Sequence, residues 1–558
     1  MTDNDEAFAP VDTRNTQPIT FARDYSRVSF DGKPGRFSIL YAKAKPVKTD
    51  PPDPSEYNFE YILSDLNIRE VCSYTNMNEA DVDFVCGIMT DFKSTRDDIA
   101  LRSSVIEDFI SHPGFIDTLE AETENFMRLR EKLTDAKRNL MRSTGDVQGG
   151  TGFLNYSKVT HACFFFDLTY KAVFRLYREF KAIELKSPRL TELTKFLTEL
   201  FDEDGVYKKL CEECMIFNEH VNDGVVFDID MKLSPILRII ALRLYDFRYE
   251  KPKSEGGFRS FLNAFGLEDK RSRDRNIYTE KRFTHNSGIS PEDDTYLKGT
   301  LEYQINLLAR RLSAAYEHLI DLFLDLAGEM RFYRFALNLI DYMRRQHVPN
   351  CFAKITDTEK QSARFTDLTD LTLAKYDDSG KNSVTVVRNN FGMEETTSVS
   401  LITGGNQSGK TTFLRAFGSA LILARAGLPV PARDAEVSLF GKLYTHFQRF
   451  DDELHNEGQL DTELAEMEKI VYTAKSDSVI LMNESFSSTG LKDATGIAVD
   501  ILSALENMGV KVIFVTHIPG LREKILADGF IKGGERAIIH YVTGSDASGA
   551  PTYKIGKA

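Results

Sequence analysis

The chain lacks three features that mark common protein classes. No apolar run reaches the ~18 residues that a membrane-spanning helix needs, which argues against a helical membrane protein. Only six cysteines occur in 558 residues, and there is no secretory signal, so we expect a reduced, cytoplasmic protein. Positive charge is also scarce, because 70 lysines and arginines face 84 acidic residues and leave a net charge of −14. This balance argues against a broad, sequence-independent coat on nucleic acid, but it does not exclude a local basic patch.

The most informative stretch has the pattern of a phosphate-binding loop. Residues 404–411, Gly-Gly-Asn-Gln-Ser-Gly-Lys-Thr, fit the spacing of glycine, four residues, then Gly-Lys-Thr. The apolar run before it predicts a buried strand at 399–403, and the run after it predicts a helix from Thr412. A glycine-rich turn between strand and helix collects free backbone N–H groups around one point, and the helix dipole favours an anion there. We therefore predict a nucleoside triphosphate, with Lys410 on its outer phosphates and the Thr411 hydroxyl on Mg²⁺.

The length of 558 residues predicts two to four domains. Residues 1–56 are a polar tail with a short strand-like run at 37–41 and a proline-rich linker, and 57–348 show mainly helical periodicity. One seam in this region has a seven-residue period: it comprises Leu301, Ile305, Leu308, Leu312, Ala315, Leu319, Leu322 and Leu326. It predicts either one helix over 296–346, roughly 75 Å long at ~1.5 Å per residue, or two bundle helices broken near Gly328.

The pattern changes after Pro349, and residues 349–558 are predicted to form a P-loop domain. Strand-like runs alternate with helical ones, which is typical of a mostly parallel sheet. The predicted strands are 368–373, 384–387, 399–403, 479–482 and 512–515, followed by a hairpin of 537–542 and 552–555. The predicted fold class is thus α + α/β, a helical region followed by a P-loop ATPase-like domain.

Two predicted strands end in residues suited to hydrolysis. The run 479–482 ends in Asn483 and Glu484, and Glu484 is placed to orient or deprotonate an attacking water. Asn483 stands where such sites usually have aspartate, so it could hold Mg²⁺ only through a bound water and brings no negative charge. The next strand ends in Thr516 and His517, and a histidine there can sense the terminal phosphate.

These motifs together resemble the MutS family of DNA mismatch-repair ATPases. Residues 402–415 are similar to the family's ITGPNMGGKST loop, 427–432 to its G-x-x-VPA, 481–484 to its LMDE and 515–517 to its ATH, while Thr489 and Asp493 keep two positions of its GTST-x-D. The resemblance implies an ABC-like ATPase domain and, more loosely, a helical core and lever domain. It implies that ATP and Mg²⁺ are bound by Gly404, Gly405, Asn406, Gln407, Ser408, Gly409, Lys410, Thr411 and Thr412, with Asn389 and Val386 bordering the adenine.

The departures from the family pattern bear on activity. The family has a Ser-Thr pair at the start of the helix that meets the partner subunit's terminal phosphate, and Asp461 and Thr462 occupy those positions here. A carboxylate aimed at a phosphate is repulsive. With Asn483, this makes two changes around one hydrolytic site, so we expect slow hydrolysis and better-preserved binding. With about 55 residues before the helical part, the mismatch-reading and connector domains of the family are expected to be missing.

The sequence is compatible with three functions. The first is a DNA-associated, ATP-dependent clamp or switch that pairs as a homodimer through its ATPase domains, with DNA contacted by two locally basic segments, 128–142 and 248–282. For either segment, a solvated helix face or loop is the alternative. The second is a nucleotide-gated protein-interaction module, which the net charge of −14 favours. The third, a metabolic kinase, has no recognisable substrate pocket in the sequence.

The pair Cys211 and Cys214 has the spacing of a metal or redox site. It has no second pair and lies in a predicted helix, so a structural role is favoured.

Overall fold

The computed structural model describes thirteen stretches of the chain, which form two compact units. The described residues are 37–42, 59–144, 151–201, 207, 210–211, 225–233, 239–249, 279–282, 291–357, 361–374, 386–448, 456–528 and 537–558. The first unit comprises 1–37, 117–184 and 192–325, and the second comprises 38–116, 185–191 and 326–558. The predicted tail and linker lie mostly outside the described residues, and so does Cys214.

The elements follow one another in this order. The helices are α1 (Phe59–Asp65), α2 (Ile68–Ser73), α3 (Glu79–Met89), α4 (Arg96–Ser111), α5 (Phe115–Thr144), α6 (Thr151–Ala182), α7 (Pro188–Phe201), α8 (Pro291–Arg345), α9 (Lys410–Ala426), α10 (Asn456–Thr473), α11 (Leu491–Asn507) and α12 (Leu521–Asp528). The strands are β1 (Val225–Leu233), β2 (Ile239–Tyr249), β3 (Thr279–Arg282), β4 (Lys354–Thr356), β5 (Ala363–Leu368), β6 (Asn389–Met393), β7 (Val399–Thr403), β8 (Asp434–Ser438), β9 (Leu443–Phe447), β10 (Val479–Asn483), β11 (Lys511–Val515), β12 (Ile538–Ser545) and β13 (Pro551–Lys557). None of the helices in the described ranges combines the length and apolarity that a membrane crossing requires.

The first unit packs its helices mainly through aromatic side chains. The rings of Phe126 in α5 and Phe323 in α8 stack with their centroids 4.6 Å apart, and both residues are fully buried. The Tyr207 hydroxyl donates a hydrogen bond to the carbonyl of Ala315 at 2.5 Å. Offset stacked rings of this kind add to the free energy gained by burying their apolar area.

The first unit also contains a sheet, which the mainly helical periodicity of 57–348 did not predict. Strands β1, β2 and β3 pair antiparallel in that order. In 227–233 the sequence alternates apolar and charged residues, Phe-Asp-Ile-Asp-Met-Lys-Leu, which is the period-two pattern of a strand. These strands were not predicted because the long helical periodicity on either side outweighed this short alternation.

The seven-residue seam belongs to one continuous helix. Helix α8 runs through Gly328 without a break, so the alternative of two bundle helices is wrong. A glycine inside a helix costs about 1 kcal/mol relative to alanine, and the burial of Leu322 and Leu326 before it and of Met330 and Phe332 after it outweighs that cost. The helix ends at Arg345, just before His347, which has a left-handed φ of 53°.

The second unit is built on a six-stranded sheet of order β13-β12-β7-β11-β10-β9. All pairs in it are parallel except β12 with β13, which form an antiparallel hairpin. Every residue of β9, β10 and β11 is buried, as expected for central parallel strands. The predicted mostly parallel sheet is thus confirmed, and so are the strands at 399–403, 479–482 and 512–515 and the final hairpin.

Three other predicted strands differ from the structure. A second sheet of order β4-β8-β5-β6 contains Ala363–Leu368, so the predicted strand at 368–373 was shifted, and Leu371 lies in a turn. Residues 386–388 form no strand, and β6 begins at Asn389, while 384 and 385 lie outside the described residues. Residues 37–41 are irregular but buried. Local apolar runs did not predict the positions of these strands, because contacts with distant segments of the unit decide where each strand begins and ends.

The compact units do not follow the predicted domain boundary at 349. Helices α1 to α4 and the end of α8 belong to the same unit as the six-stranded sheet. Helix α4 is started by a capping box, in which the Thr95 hydroxyl accepts from the Asp98 N–H and the Asp98 carboxylate accepts from the Thr95 N–H. The division at 349 marks a change of secondary structure and stays a prediction as a domain boundary.

Helix α9 ends against α4 around two buried guanidinium groups. Arg425 donates to the carbonyls of Ser94 (2.7 Å) and Phe92 (2.6 Å), and Arg102 donates to the carbonyl of Leu40 (3.0 Å). Burial lowers the pKa of Arg425 to about 10. The carbonyl partners are what make these buried cations tolerable, because a buried charge without partners costs several kcal/mol.

Gly427 caps helix α9 in a conformation that only glycine adopts easily. Its φ is 78°, and a Cβ there would lie 2.7 Å from the Ile99 carbonyl oxygen and 3.0 Å from the Arg102 Cβ.

Gly427→Ala should therefore destabilise the protein by about 1–3 kcal/mol, seen as a lower melting temperature by circular dichroism. Gly496→Ala is the matched control, because Gly496 lies inside α11 with open space around its Cβ position, so alanine there should be neutral or slightly stabilising. Equal effects of the two changes would contradict this account of the cap.

Candidate nucleotide-binding site

The loop at 404–409 joins the carboxyl end of β7 to the first turn of α9. Gly404, Gln407 and Gly409 have φ values of 153°, 61° and 89°, so the chain turns sharply and the N–H groups at the start of α9 face the loop. Gly405, Asn406 and Gln407 are exposed at its tip, Ser408 is buried and Thr412 is half-buried. The strand, loop and helix that the sequence predicted are all present.

Lys410 is folded into this loop. Its side chain donates from Nζ to the carbonyls of Gly405 at 2.8 Å and Gly404 at 3.2 Å, and the residue is only 4% exposed. Burial lowers the pKa of Lys410, and the negative charge of Glu484 acts in the opposite direction. The ammonium group therefore lies where loop N–H groups and the α9 dipole would also meet an anion.

Thr411 and Asn483 form a polar pair beside the lysine. The Thr411 hydroxyl donates to Asn483 Oδ1 at 3.0 Å, which joins the first turn of α9 to the end of β10. Both groups are neutral oxygen donors, and no cluster of three or more metal-binding His, Cys, Asp or Glu side chains occurs among the described residues. The pair fits Mg²⁺ in the way that triphosphate sites hold it, with one or two protein oxygens completed by phosphate and water.

Glu484 and His517 are brought together from neighbouring strands. His517 Nε2 and Glu484 Oε1 are 2.8 Å apart, and their side chains are 38% and 30% exposed. Parallel pairing sets Asn483 opposite Val515, so the residues after β10 and β11 share one edge of the sheet. Glu484 has a left-handed φ of 54°, and its N–H donates to the Val515 carbonyl at 2.8 Å.

The final hairpin supplies two residues that sequence reasoning missed. The Tyr553 ring lies against Gly409, where an added Cβ would be 3.1 Å from its Cδ1, and the Thr543 hydroxyl donates to the Ser408 hydroxyl at 2.9 Å. Neither residue lies in a recognisable motif, and both are more than 130 positions from the loop in sequence. Their proximity arises only because β12 pairs with β7.

Asn389 and Val386, expected to border the adenine, occupy different environments. The Asn389 amide donates to the Tyr553 carbonyl at 3.1 Å and accepts from the Ile555 N–H at 2.9 Å. It therefore ties β6 to the hairpin whose tyrosine covers the loop. Val386 is half-buried and lies outside any strand. A contact of either residue with adenine stays a prediction.

Asp461 lies inside a helix rather than at its start. Helix α10 begins at Asn456, so Asp461 and Thr462 are in its second turn, and both are exposed. A contact of either residue with a second molecule stays a prediction.

A comparison with protein families identifies the domain that contains this site. Residues 400–528 match the family model described as MutS domain V. This part of the chain is a MutS domain V. The MutS domain contains the whole loop from Gly404 to Thr412 together with Asn483, Glu484 and His517. Asn389, Thr543 and Tyr553 lie outside the matched residues.

Individual relatives match only a limited part of this chain. The DNA mismatch repair protein MutS of Streptococcus suis (strain 98HAH33) is 32% identical over 163 residues, which are 28% of this chain and 19% of that protein. The MutS of Streptococcus pneumoniae serotype 19F (strain G54) is 32% identical over 134 residues, 24% of this chain and 16% of that protein. The mismatch repair protein HexA of Streptococcus pneumoniae serotype 4 is 31% identical over 134 residues, with the same coverage. The chain thus spans less than a fifth of the length of these curated relatives.

Proposed function

We propose that this chain binds ATP and Mg²⁺ in its MutS domain and works as a DNA-associated, ATP-dependent clamp or switch with slow hydrolysis. The observation that carries this proposal is the convergence of Lys410, Thr411, Asn483, Glu484 and His517 around the loop at the start of α9. The domain type supports nucleotide binding in general. The relatives that share it are named as DNA mismatch repair proteins, which supports the association with DNA.

Each residue has a distinct role in this proposal. Lys410 moves from its carbonyl partners to the outer phosphates, whose negative charge raises its lowered pKa again and keeps it protonated. Thr411 would hold Mg²⁺ directly and Asn483 would hold it through a bound water, together with phosphate oxygens, and the ion would supply positive charge against the phosphates. Glu484, oriented by His517, accepts a proton from the attacking water.

Slow hydrolysis follows from the missing charge at Asn483. An amide oxygen can orient a metal-bound water, but it adds no negative charge to hold the metal.

Pairing of two MutS domains as a homodimer is part of the proposal, with the exposed Asp461 and Thr462 of α10 facing the second molecule. A carboxylate in that position would oppose the approach of a phosphate.

A nucleotide-gated protein-interaction module is the second candidate, and one observation favours it. Four of the five basic side chains described in 128–138 form ion pairs with carboxylates: Arg128 with Glu124, Arg130 with Asp321, Lys137 with Glu317 and Arg138 with Asp135. Much of the positive charge that could meet DNA there is thus neutralised within the chain. Of the second basic segment, 250–278 lie outside the described residues.

Lys410→Ala should weaken ATP binding by about 100-fold or more, because the charge on the outer phosphates is lost. Fluorescent-nucleotide titration measures this affinity directly. Lys475→Ala is the control, since Lys475 is exposed and lies in the turn before β10. An unchanged affinity in the Lys410 variant would refute the site assignment.

Asn483→Asp should raise ATP turnover by about tenfold, because it restores a charge to the metal site while keeping an oxygen for the Thr411 hydroxyl. Turnover is measured at several protein concentrations, so that dimerisation is read at the same time. Asn483→Ala, which removes both charge and oxygen, should lower turnover. If the aspartate variant shows no rise, the limit lies at Asp461 or in dimerisation.

The DNA association is tested by nucleotide-dependent retention on linear, branched and mismatched duplexes at about 50 and 200 mM salt. We expect retention to increase with ATP and to fall steeply at the higher salt, because phosphate contacts release counterions. If no duplex is retained at low salt with ATP present, the DNA role is rejected. Co-purifying proteins that resist nuclease treatment would then support the interaction module.

A further inference from the structure

A buried polar cluster lies behind the loop that follows Glu484, and the nucleotide site does not use it. Its members are His446 of β9, Glu463 of α10, and Ser485 and Phe486 of the loop. They are 1%, 6%, 1% and 0% exposed, so the cluster is closed to solvent. Polar groups in such surroundings are costly unless they hydrogen-bond to one another.

Glu463 makes the central contact in this cluster. Its Oε2 accepts a hydrogen bond from the Phe486 N–H at 2.6 Å, a short distance for a bond to a carboxylate. The His446 ring completes the link, with Nε2 3.0 Å from the Glu463 carbonyl oxygen and Nδ1 2.7 Å from the Ser485 hydroxyl. Helix α10 and the loop are therefore joined by both the side chain and the backbone of Glu463.

The loop needs such a support because its backbone is strained. Glu484 and Phe486 have φ values of 54° and 65°, in the left-handed region that residues with a Cβ enter only at a cost of about 1–2 kcal/mol each. The Phe486 ring is buried beside the His446 ring, with centroids 5.4 Å apart. Loss of the Glu463 contact would leave the Phe486 N–H without this partner and let the strained backbone relax.

The position of Glu484 depends on the same backbone. Glu484 is two residues before Phe486, and its carboxylate contacts His517 at 2.8 Å. A relaxation at Phe486 would therefore move the residue to which we assign the attacking water. Burial raises the pKa of Glu463, so the ionised carboxylate is costly in this position. Holding a strained loop is a reason for such a residue to be there.

We propose that Glu463 is a positioning residue, whose contact with the Phe486 N–H holds the 484–486 loop in the conformation that sets Glu484 against His517. The inference rests on the proposed ATP hydrolysis for its catalytic consequence, but the positioning of the loop does not depend on it.

The test compares Glu463→Ala and Glu463→Gln with Glu468→Gln in the full chain. Glu468 is an exposed glutamate on the same helix and serves as the matched control. Three quantities are measured for each variant: amide hydrogen exchange of the peptide containing 484–488 without nucleotide, ATP affinity, and turnover. Glutamine at 463 keeps an oxygen for the Phe486 N–H and removes the charge, so it separates the hydrogen bond from the carboxylate.

In Glu463→Ala, exchange in the loop peptide should rise by about tenfold or more, and kcat should fall by about 10- to 100-fold, while ATP affinity changes less than about threefold. Glu463→Gln should recover most of both effects, and Glu468→Gln should behave as the parent chain. If Glu463→Ala does not fold, Glu463→Leu takes its place, because leucine fills the buried position without offering an acceptor to the Phe486 N–H, and the same rise in loop exchange over the Glu463→Gln variant is expected.

Two outcomes overturn the proposal. Unchanged loop exchange in the Glu463 variants would show that the contact does not hold the loop. A uniform rise in exchange over the whole second unit, without recovery by glutamine, would show a purely structural role. If the parent chain binds ATP but does not turn it over, the proposed hydrolysis fails, and the loop exchange alone still decides whether Glu463 positions the loop.

Discussion

Helix α9 is held at both ends, and the arrangement of the second unit depends on this. Its first residue, Lys410, lies on the carbonyls of the phosphate-type loop, and its last turn places Arg425 on the carbonyls of Phe92 and Ser94. Midway along, Gly418 leaves room for Leu66 from one side and Leu481 of β10 from the other, since a Cβ there would lie within 2.6 Å of both. The helix is thus packed between the small helices α1 to α4 and the sheet. Any movement of the loop at its start must be accommodated by the contacts at its end.

This constraint explains why the site is assembled from distant parts of the chain. Once β7 and α9 are in place, the parallel neighbours β11 and β10 bring His517 and Glu484 to the same edge, and β12 brings the hairpin with Tyr553 over the loop. Asparagine ends β10, so this position adds no negative charge to that of Glu484 at the same edge. The left-handed φ values of Glu484 and Phe486 cost stability, and backbone strain of this kind clusters at functional sites.

Sequence reasoning succeeded where a local signal was strong. The runs Val-Ile-Leu-Met and Val-Ile-Phe-Val predict buried strands because β-branched and apolar residues suit parallel strands covered on both faces. The glycine-rich loop was recognisable because a tight turn around phosphate demands glycine at fixed spacing. Strand prediction failed where strand pairing decides the structure. At 368–373, for example, the strand ends at Leu368 and the chain turns. It also failed for β1 and β2, whose short alternation was read as part of the helical region.

The sequence by itself determined the loop at 404–411, the order of the strands that carry Glu484 and His517, and the MutS type of the domain. These properties depend on neighbouring residues or on the order of motifs, so they can be recognised from the sequence alone. Only the tertiary structure decided that Asn389 ties β6 to the hairpin, that Tyr553 covers Gly409, and that Glu463 supports the strained loop behind Glu484. Each of these contacts joins elements that are far apart in the chain or in different layers. These contacts exist because sheet pairing and helix packing bring those elements together. The spacing of residues along the sequence does not predict which distant residues will meet.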